Sequence, residues 1–279
     1  MRGVGTARAL SSPAPVVSGR KDGGVAMRNL TILLYHEVGE PPVGKDPYGL
    51  AVTPGAFRRQ MALLARGGYH VVDLDHVVRA IESGEALPRR SVAITFDDGM
   101  KSTFEAAFPV LRAFGFPATV FLVARRVGGR SDWQGQRDEL ALPLCDWDEI
   151  REMQAGGISF GSHSASHPDL TRLAADDVRA ELTTSKAILE ERLGRPVDQF
   201  AYPFERFTAE TVALTRESGY RASFGTSALP ESRFNLWRTE VGAADTLERL
   251  AFKLSGNWWR WREAKRRLRP LRAGVTAGR

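Results

Sequence analysis

Two adjacent carboxylates are the first residues of this 279-residue chain whose type and position suit chemistry. Asp97 and Asp98 follow the apolar run SVAITF and precede Gly99. Ionised acids side by side repel each other, and a cation beside them removes that repulsion. The alternative is a helix N-cap followed by a solvated acid, and the Asp-Asp-Gly sequence alone leaves both interpretations open.

Two histidines favour the interpretation as a metal site. His163 and His167 are separated by four positions in the segment HSASH, and the whole chain has five histidines. This spacing puts both imidazoles on one face of a helical turn, and a loop can also direct them at one cation. Two histidines and one aspartate form a ligand set that leaves positions for water and substrate. Zn²⁺ is the expected ion, and Co²⁺, Ni²⁺ and Mn²⁺ are alternatives.

The elements that must position these residues alternate along the chain from residue 29, with apolar strand-like runs followed by amphipathic helical runs. This order predicts an α/β fold in which helices join parallel strands. The chain has no GxGxxG after the first strand and no GxxxxGK[ST], so a barrel of about seven strands is favoured over an open nucleotide-binding sheet. The predicted strands are 30–36, 69–74, 91–96, 118–123, 158–162 and 199–203, with weaker candidates at 220–224 and 236–241.

The two motifs together resemble those of a known family. TFDDG at 95–99 and HSASH at 163–167 are similar to the first two motifs of carbohydrate esterase family 4, the polysaccharide deacetylases with a NodB homology domain. The resemblance extends from about residue 30 to about residue 242 and includes the LLYHEV start. It implies a single-domain, deformed (β/α), TIM-like barrel that removes N-acetyl groups from amino sugars with the help of a divalent metal.

The resemblance also implies roles for the motif residues. Asp98, His163 and His167 would hold the metal, and Asp97 would be the general base that takes a proton from water. The chemistry agrees with this division, because a carboxylate that donates its lone pairs to a cation is a poor proton acceptor.

The third motif of the family usually reads RxPY followed by glycine, whereas the corresponding residues here are Ala201, Tyr202, Pro203, Phe204 and Glu205. In the family the arginine steadies the catalytic aspartate, so its loss leaves open what holds Asp97. The backbone N–H of Phe204 is the predicted donor to the developing oxyanion, with Tyr202 on the substrate side. The alternative is that Tyr202 and Phe204 are core residues.

The proton donor to the leaving amine must also come from elsewhere, because no histidine follows His167. The segments RASFG at 221–225 and LWR at 236–238 stand where the family often has DxxDW and Leu-x-His. Amide cleavage needs an acid. His36 is the candidate, since it ends the first predicted strand and its Tyr-His pair is similar to that of poly-N-acetylglucosamine deacetylases. The alternative is a structural histidine that caps the strand.

Charge is distributed unevenly along the chain, whose formal net charge is +6. Acidic residues outnumber basic ones between 31 and 252, and both ends are basic. This distribution argues against a nucleic-acid-binding domain, which needs basic residues over a folded face. The segment 1–28 is predicted to be a disordered leader, 29–252 the deacetylase domain, and 253–279 a basic, Trp-rich tail.

The two ends also bear on location. The leader lacks the apolar core of a secretory signal, translation could begin at Met27, and no segment approaches the length of a membrane span. The expected location is therefore cytoplasmic. Tryptophans interleaved with basic residues at 253–272 suit an anionic membrane surface. The alternative is a helix whose tryptophans pack on the barrel.

The leading hypothesis is metal-dependent deacetylation of an N-acetylated glycan or lipid-linked sugar. One rival is a related hydrolase of acetyl esters or of other amides. A second rival is a catalytically silent glycan-binding protein, motivated by Ala201 and by the missing downstream histidine.

Overall fold

All described strands of the protein pair in parallel to form one sheet. The computed structural model describes residues 30–40, 46–133, 141–225, 232–255 and Trp258, so the predicted leader and most of the tail lie outside the described residues. The sheet order is β7-β6-β5-β4-β3-β1-β8, and β2 pairs with the first residues of β3. The strands are β1 (Leu30–Tyr35), β2 (His70–Val71), β3 (Ser91–Phe96), β4 (Thr119–Leu122), β5 (Ser159–Ser162), β6 (Gln199–Ala201), β7 (Ala222–Phe224) and β8 (Thr239–Glu240).

Helices follow most strands, as the alternating pattern predicts. They are α1 (Pro54–Arg66), α2 (Leu74–Ser83), α3 (Phe108–Phe114), α4 (Trp147–Ala155), α5 (Ala175–Leu193), α6 (Ala209–Glu217) and α7 (Leu247–Lys253). A π-helical turn, Thr103–Ala107, leads into α3. Thr53 caps α1 by accepting a hydrogen bond from the N–H of Ala56, and Pro54 occupies the first turn, where its missing N–H costs nothing. Among the described residues no helix is both long and apolar enough to cross a bilayer.

The core has two layers because successive strand side chains point to opposite faces of the sheet. On one face, Tyr35 and Phe96 pack against Phe57 of α1, with ring centroids 5.2 and 5.9 Å from that of Phe57. The opposite face buries a separate cluster together with α2. That cluster includes Ile32, Ala93, Phe121, Ala201 and Phe224 from the strands and Leu74, Val77, Val78 and Ile81 from α2.

The register of the strands brings the predicted site residues to one edge. Tyr35 pairs with Phe96, and the N–H of Asp97 donates to the carbonyl of Tyr35 over 3.0 Å. His36 and Asp97 therefore directly follow paired residues at the carboxyl ends of β1 and β3. Ser162, which precedes His163, pairs with Phe200 of β6. The carboxyl ends of parallel strands form the edge on which barrel enzymes carry their catalytic groups.

Candidate metal and catalytic site

Three side chains come together as a candidate metal site: Asp98, His163 and His167. His163 Nε2 lies 3.5 Å from Asp98 Oδ1, His167 Nε2 lies 3.4 Å from the same oxygen, and the two nitrogens are 3.2 Å apart. Zinc bonds of about 2.0–2.1 Å in a tetrahedron separate neighbouring ligand atoms by about 3.3 Å. Within the described part of the chain, Asp98 Oδ1 is buried and has no hydrogen-bond partner. The donor set, its spacing and this unsatisfied oxygen all fit a divalent cation.

The protonation states of the three ligands also suit a cation. Burial lowers the pKa of His163 to about 4 and lowers that of His167, so both imidazoles are neutral at neutral pH. The carbonyl of Ala201 lies 2.8 Å from His163 Nδ1, which assigns the ring proton to Nδ1 and leaves Nε2 as the ligand atom. Burial and the charge of Asp97 raise the pKa of Asp98. An ionised Asp98 therefore needs a positive charge beside it.

The backbone around these ligands adopts conformations that L-residues rarely use. Asp98 has φ 72°, Ser164 has φ 68° and His167 has φ 65°. Such left-handed conformations cost free energy in residues other than glycine, and they persist only where the surroundings hold them. One restraint is local, because the N–H of His167 donates to Ser164 Oγ over 2.9 Å.

The arginine missing at position 201 is replaced by Arg238, which immediately precedes β8. Arg238 is buried, and its guanidinium donates two hydrogen bonds of 2.6 Å to the two carboxylate oxygens of Asp97. Burial by itself would raise the pKa of Asp97, but the guanidinium outweighs it and the pKa falls to about 2. Asp97 is therefore ionised and fixed in orientation at neutral pH.

Arg238 also contacts a second carboxylate, that of Glu205. Burial raises the pKa of Glu205 to about 7, although Arg238 opposes the shift. One guanidinium thus bridges the end of β3 and the segment that follows β6. Neither Arg238 nor Glu205 has a role that was predicted from the sequence. A charged residue inside the predicted strand 236–241, directly after Leu236 and Trp237, is the signal that could have indicated Arg238.

His36 lies at the predicted edge, directly after β1. It is half-buried, and burial lowers its pKa. Asp97 and Arg238 are among the charged groups that act on it. Its Nδ1 atom has no hydrogen-bond partner in the described part of the chain. The structure therefore brings His36 close to Asp97, and its role as the acid stays a prediction.

Aromatic rings enclose His167. The ring centroid of Trp133 lies 4.4 Å from that of His167, and the centroid of Phe204 lies 4.6 Å away. Trp133 is buried, whereas Phe204 is 41% exposed. Phe204 also has a left-handed backbone, with φ 56°. The ring of Phe204 thus forms a rim between the buried imidazole of His167 and solvent. The role of its backbone N–H as oxyanion donor stays a prediction.

Tyr202 is placed differently from Phe204. Its ring is fully buried and packs on Phe207, with centroids 4.5 Å apart. Its hydroxyl lies 2.8 Å from Ser223 Oγ and donates to the carbonyl of Phe234 over 3.0 Å. The structure does not bring Tyr202 to the site, so the substrate-side position predicted for it is wrong. The alternative, that Tyr202 is a core residue, holds because its ring is fully buried against Phe207.

The family comparison agrees with the geometry. The family model for polysaccharide deacetylases matches residues 84–223, which is about half of the chain. The chain belongs to the polysaccharide deacetylase family. The matched range includes the carboxylate pair and both histidines but not His36 or Arg238. The family predicted from the two motifs is thereby confirmed.

Individual relatives of this deacetylase family member differ in how much of them it covers. YxkH of Bacillus subtilis is 26% identical over 204 residues, which cover 73% of this chain and 67% of YxkH. The poly-β-1,6-N-acetyl-D-glucosamine N-deacetylase of Escherichia coli K12 is 35% identical over 123 residues, which cover 43% of this chain and 18% of that protein. The chain therefore spans only a small part of the E. coli enzyme.

A solved structure confirms the fold. The deacetylase PplD of Streptococcus pyogenes superimposes with a TM-score of 0.71 at 24% identity, and the match covers 81% of this chain and 98% of that chain. The curled parallel sheet with its helices is accordingly the deformed, TIM-like barrel that the sequence predicts.

Proposed function

We propose that the protein hydrolyses N-acetyl groups of an amino-sugar glycan or glycan precursor and releases acetate. The observation that carries this proposal is the buried group of Asp98, His163 and His167 next to Asp97, a carboxylate that Arg238 holds ionised. A site for a cation and an oriented proton acceptor are the two parts that hydrolysis of an unactivated amide needs. Membership of the deacetylase family supports the same reaction class.

The metal ligands suggest the ion and its contribution. Two imidazole nitrogens and one carboxylate oxygen are a donor set that suits Zn²⁺, and Co²⁺, Ni²⁺ or Mn²⁺ are alternatives. A cation held by Asp98, His163 and His167 would polarise the acetamide carbonyl and make water more acidic. The remaining steps belong to side chains of the chain itself.

Asp97 is the proposed base. Its Oδ2 atom lies 3.7 Å from His163 Nε2, so the carboxylate faces the ligand group without belonging to it. A water oxygen forms a bond to the acetamide carbon while its proton passes to Asp97, and the carbonyl becomes a tetrahedral oxyanion. The N–H of Phe204 is the proposed hydrogen-bond donor to that oxyanion. The double contact with Arg238 holds the orientation of the carboxylate throughout.

His36 is the proposed acid. When the tetrahedral species collapses, the C–N bond breaks and the amine nitrogen takes a proton, because an amide anion is a very poor leaving group. The lowered pKa of His36 means that the ring is mostly neutral at neutral pH and must be protonated before it acts. In its protonated form it is a stronger acid than an ordinary histidine.

The experiment that tests the proposal is an acetate-release assay with metal content measured in parallel. N-acetylglucosamine oligomers, lipid-linked sugars and peptidoglycan are the amide substrates, and acetylated xylan is the ester comparison. We expect acetate from at least one amide substrate and more of it than from xylan. Metal-loaded protein that binds these glycans but releases no acetate would favour the silent glycan-binding alternative, and release from xylan alone would favour the esterase.

The tail provides the basis for a second part of the proposal. We infer that the segment 253–272 docks on the cytoplasmic face of an anionic membrane. In the chain it follows the proposed leader, 1–28, and the proposed deacetylase domain, 29–252. Phe252 is 44% exposed where α7 leads into the tail, and its ring lies against that of Trp258. Sedimentation with vesicles of anionic and of neutral lipid tests this inference, and equal binding to both would contradict it.

A further inference from the structure

One side chain outside the candidate site holds the loop that joins the two histidine ligands. Glu181 of α5 accepts hydrogen bonds at Oε2 from the N–H groups of Ala165 and Ser166, both of 2.9 Å. Its Oε1 accepts a third, of 2.6 Å, from Ser166 Oγ. We propose that Glu181 is a positioning residue for the metal: its carboxylate fixes the loop 163–167 so that both imidazoles meet one cation. This inference rests on the metal site of the proposed function.

Several other polar groups of the loop backbone have partners near the end of β4 or within the loop. The N–H of His163 donates to the carbonyl of Leu122 over 2.8 Å. The carbonyls of Ser164 and Ala165 accept from the N–H groups of Ala124 and Arg125, over 3.1 and 2.9 Å. Glu181 therefore supplies the acceptor for the two amides at the middle of the loop. Ala165 is buried, so its N–H cannot turn to water instead without a change of the loop.

The chemistry of the contact suits a carboxylate in particular. Successive backbone N–H groups that point the same way form a concave site for an anion, and hydrogen bonds to an ionised acceptor are stronger than neutral ones. The loop needs such a restraint because Ser164 and His167 both have left-handed backbones. If the loop relaxed, the 3.2 Å separation of the two Nε2 atoms would no longer be fixed.

The helix that carries Glu181 is itself fixed to the sheet. Ser185, four residues later and so on the same face of α5, lies 2.8 Å from Ser162 Oγ, at the end of β5. Ser185 Oγ also lies 3.1 Å from the hydroxyl of Tyr220, and Leu182 is fully buried. Ser185 therefore anchors the helix to the strand that precedes His163, while Glu181 contacts the loop that follows. Because α5 and β5 are held together in this way, the carboxylate of Glu181 keeps a fixed position relative to the two histidines.

The experiment measures Zn²⁺ affinity by competition with a chelator in the purified full-length protein, with acetate release as a second readout. We expect Glu181→Ala to weaken Zn²⁺ binding about 10- to 100-fold, the range found when groups that orient metal ligands are removed. Glu181→Gln keeps one acceptor oxygen and should recover part of the affinity. At saturating Zn²⁺, both variants should regain most of their kcat. Glu191→Ala removes an exposed acid from the same helix and should leave Zn²⁺ affinity unchanged.

The outcomes separate this inference from the function on which it rests. If folded Glu181→Ala or Glu181→Gln bound Zn²⁺ as tightly as the wild type, the positioning role would be overturned. If Glu181→Ala does not fold, Glu181→Gln decides alone, because it has nearly the same shape. If the wild type bound Zn²⁺ no better than His163→Ala does, the metal site itself would fail. A wild type that binds Zn²⁺ but deacetylates nothing would contradict the proposed function and leave the role of Glu181 standing.

Discussion

The candidate site has two halves that the chain assembles in different ways. The metal half consists of Asp98, His163 and His167, which come from two short segments after β3 and β5 and lie within the range matched by the family. The proposed proton-transfer half consists of Asp97 with His36, Arg238 and Glu205. Those residues come from four separate places: the ends of β1, β3 and β6 and the start of β8. The loop 163–167 by itself brings the two histidines together, and Asp98 joins them through the pairing of β3 with β4 and of β4 with β5. The second half depends entirely on contacts between distant segments.

The difference follows from the reach of the side chains. The two histidines are four positions apart, and the loop 163–167 brings their Nε2 atoms to 3.2 Å, close to the separation of about 3.3 Å that ligands of one zinc ion need. A guanidinium sits at the end of a long side chain and can bind the same carboxylate from any strand end nearby. Arg238 does so although position 201 holds alanine. A missing arginine in the third motif is therefore weak evidence for an inactive site.

The largest expected effect comes from breaking the metal half. His163→Ala should abolish both Zn²⁺ binding and acetate release, because it removes a neutral imidazole ligand that the fold holds in place. Metal content by mass spectrometry and the acetate assay check this. The Arg238–Asp97 pair should survive the change, so the variant should still fold. Full activity in metal-free His163→Ala would contradict the assignment of the site.

The next effect comes from the proton-transfer half. His36→Ala should lower kcat on an N-acetyl substrate about 100-fold, the lower end of what a general acid contributes, while Zn²⁺ stays bound. The loss on an acetyl ester should be smaller, because an alkoxide needs less help to leave than an amide nitrogen. His76→Ala, a histidine of α2 outside the site, is the matched control. An equal loss on ester and amide would remove His36 from the role of acid.

A smaller effect on activity is expected from changing Arg238, which orients Asp97 but is not itself a proposed proton donor or acceptor. Arg238→Met should lower kcat about 10- to 100-fold, as for other residues that orient a functional group. Arg238 holds the pKa of Asp97 at about 2, below its ordinary value, so this carboxylate adds stability above the unfolded pKa that is lost as pH falls toward 2. Without Arg238 burial raises that pKa, so the acid limb of the pH–rate profile should move to higher pH.

The stability of this variant provides a separate check. Leaving Asp97 buried without its partner should cost about 3–5 kcal/mol of unfolding free energy. Asp97→Asn combined with Arg238→Met removes both charges and should cost less than Arg238→Met alone. Denaturant melts of Asp97→Asn, Arg238→Met and the double variant measure this. Additive costs would mean that the two side chains stabilise the fold independently.

The same contrast explains which features the sequence predicted. The alternation of apolar runs and helices predicted the parallel barrel, and His36, Asp97 and His163, each at the end of a predicted strand or directly after one, share one edge of the sheet. The position of Arg238 beside Asp97 was not predictable, because the contact spans 141 residues and depends on β8 pairing with β1. Tyr202 was assigned to the substrate side because the motif gives its residue type and not the direction in which its side chain points.

The smallest effect is expected at the rim, where the two halves meet solvent. Phe204→Ala removes a ring that lies against His167 but keeps the backbone N–H that is the proposed oxyanion donor. KM for a glycan oligomer should therefore rise a few-fold, while kcat stays within about two-fold, since the change affects substrate binding equally in ground and transition states. Steady-state kinetics on oligomers of increasing length measure both constants.

Two comparison variants make this last prediction specific. Phe204→Gly also lacks the ring but adopts the left-handed backbone of φ 56° without strain, so a kcat lower in Phe204→Ala than in Phe204→Gly would point to the backbone. Tyr202→Phe removes a hydroxyl buried in the core and should lower stability without altering either kinetic constant. If kcat of Phe204→Ala fell as far as that of His36→Ala, the ring would belong to the catalytic machinery, because a group that only binds substrate leaves the chemical step unchanged.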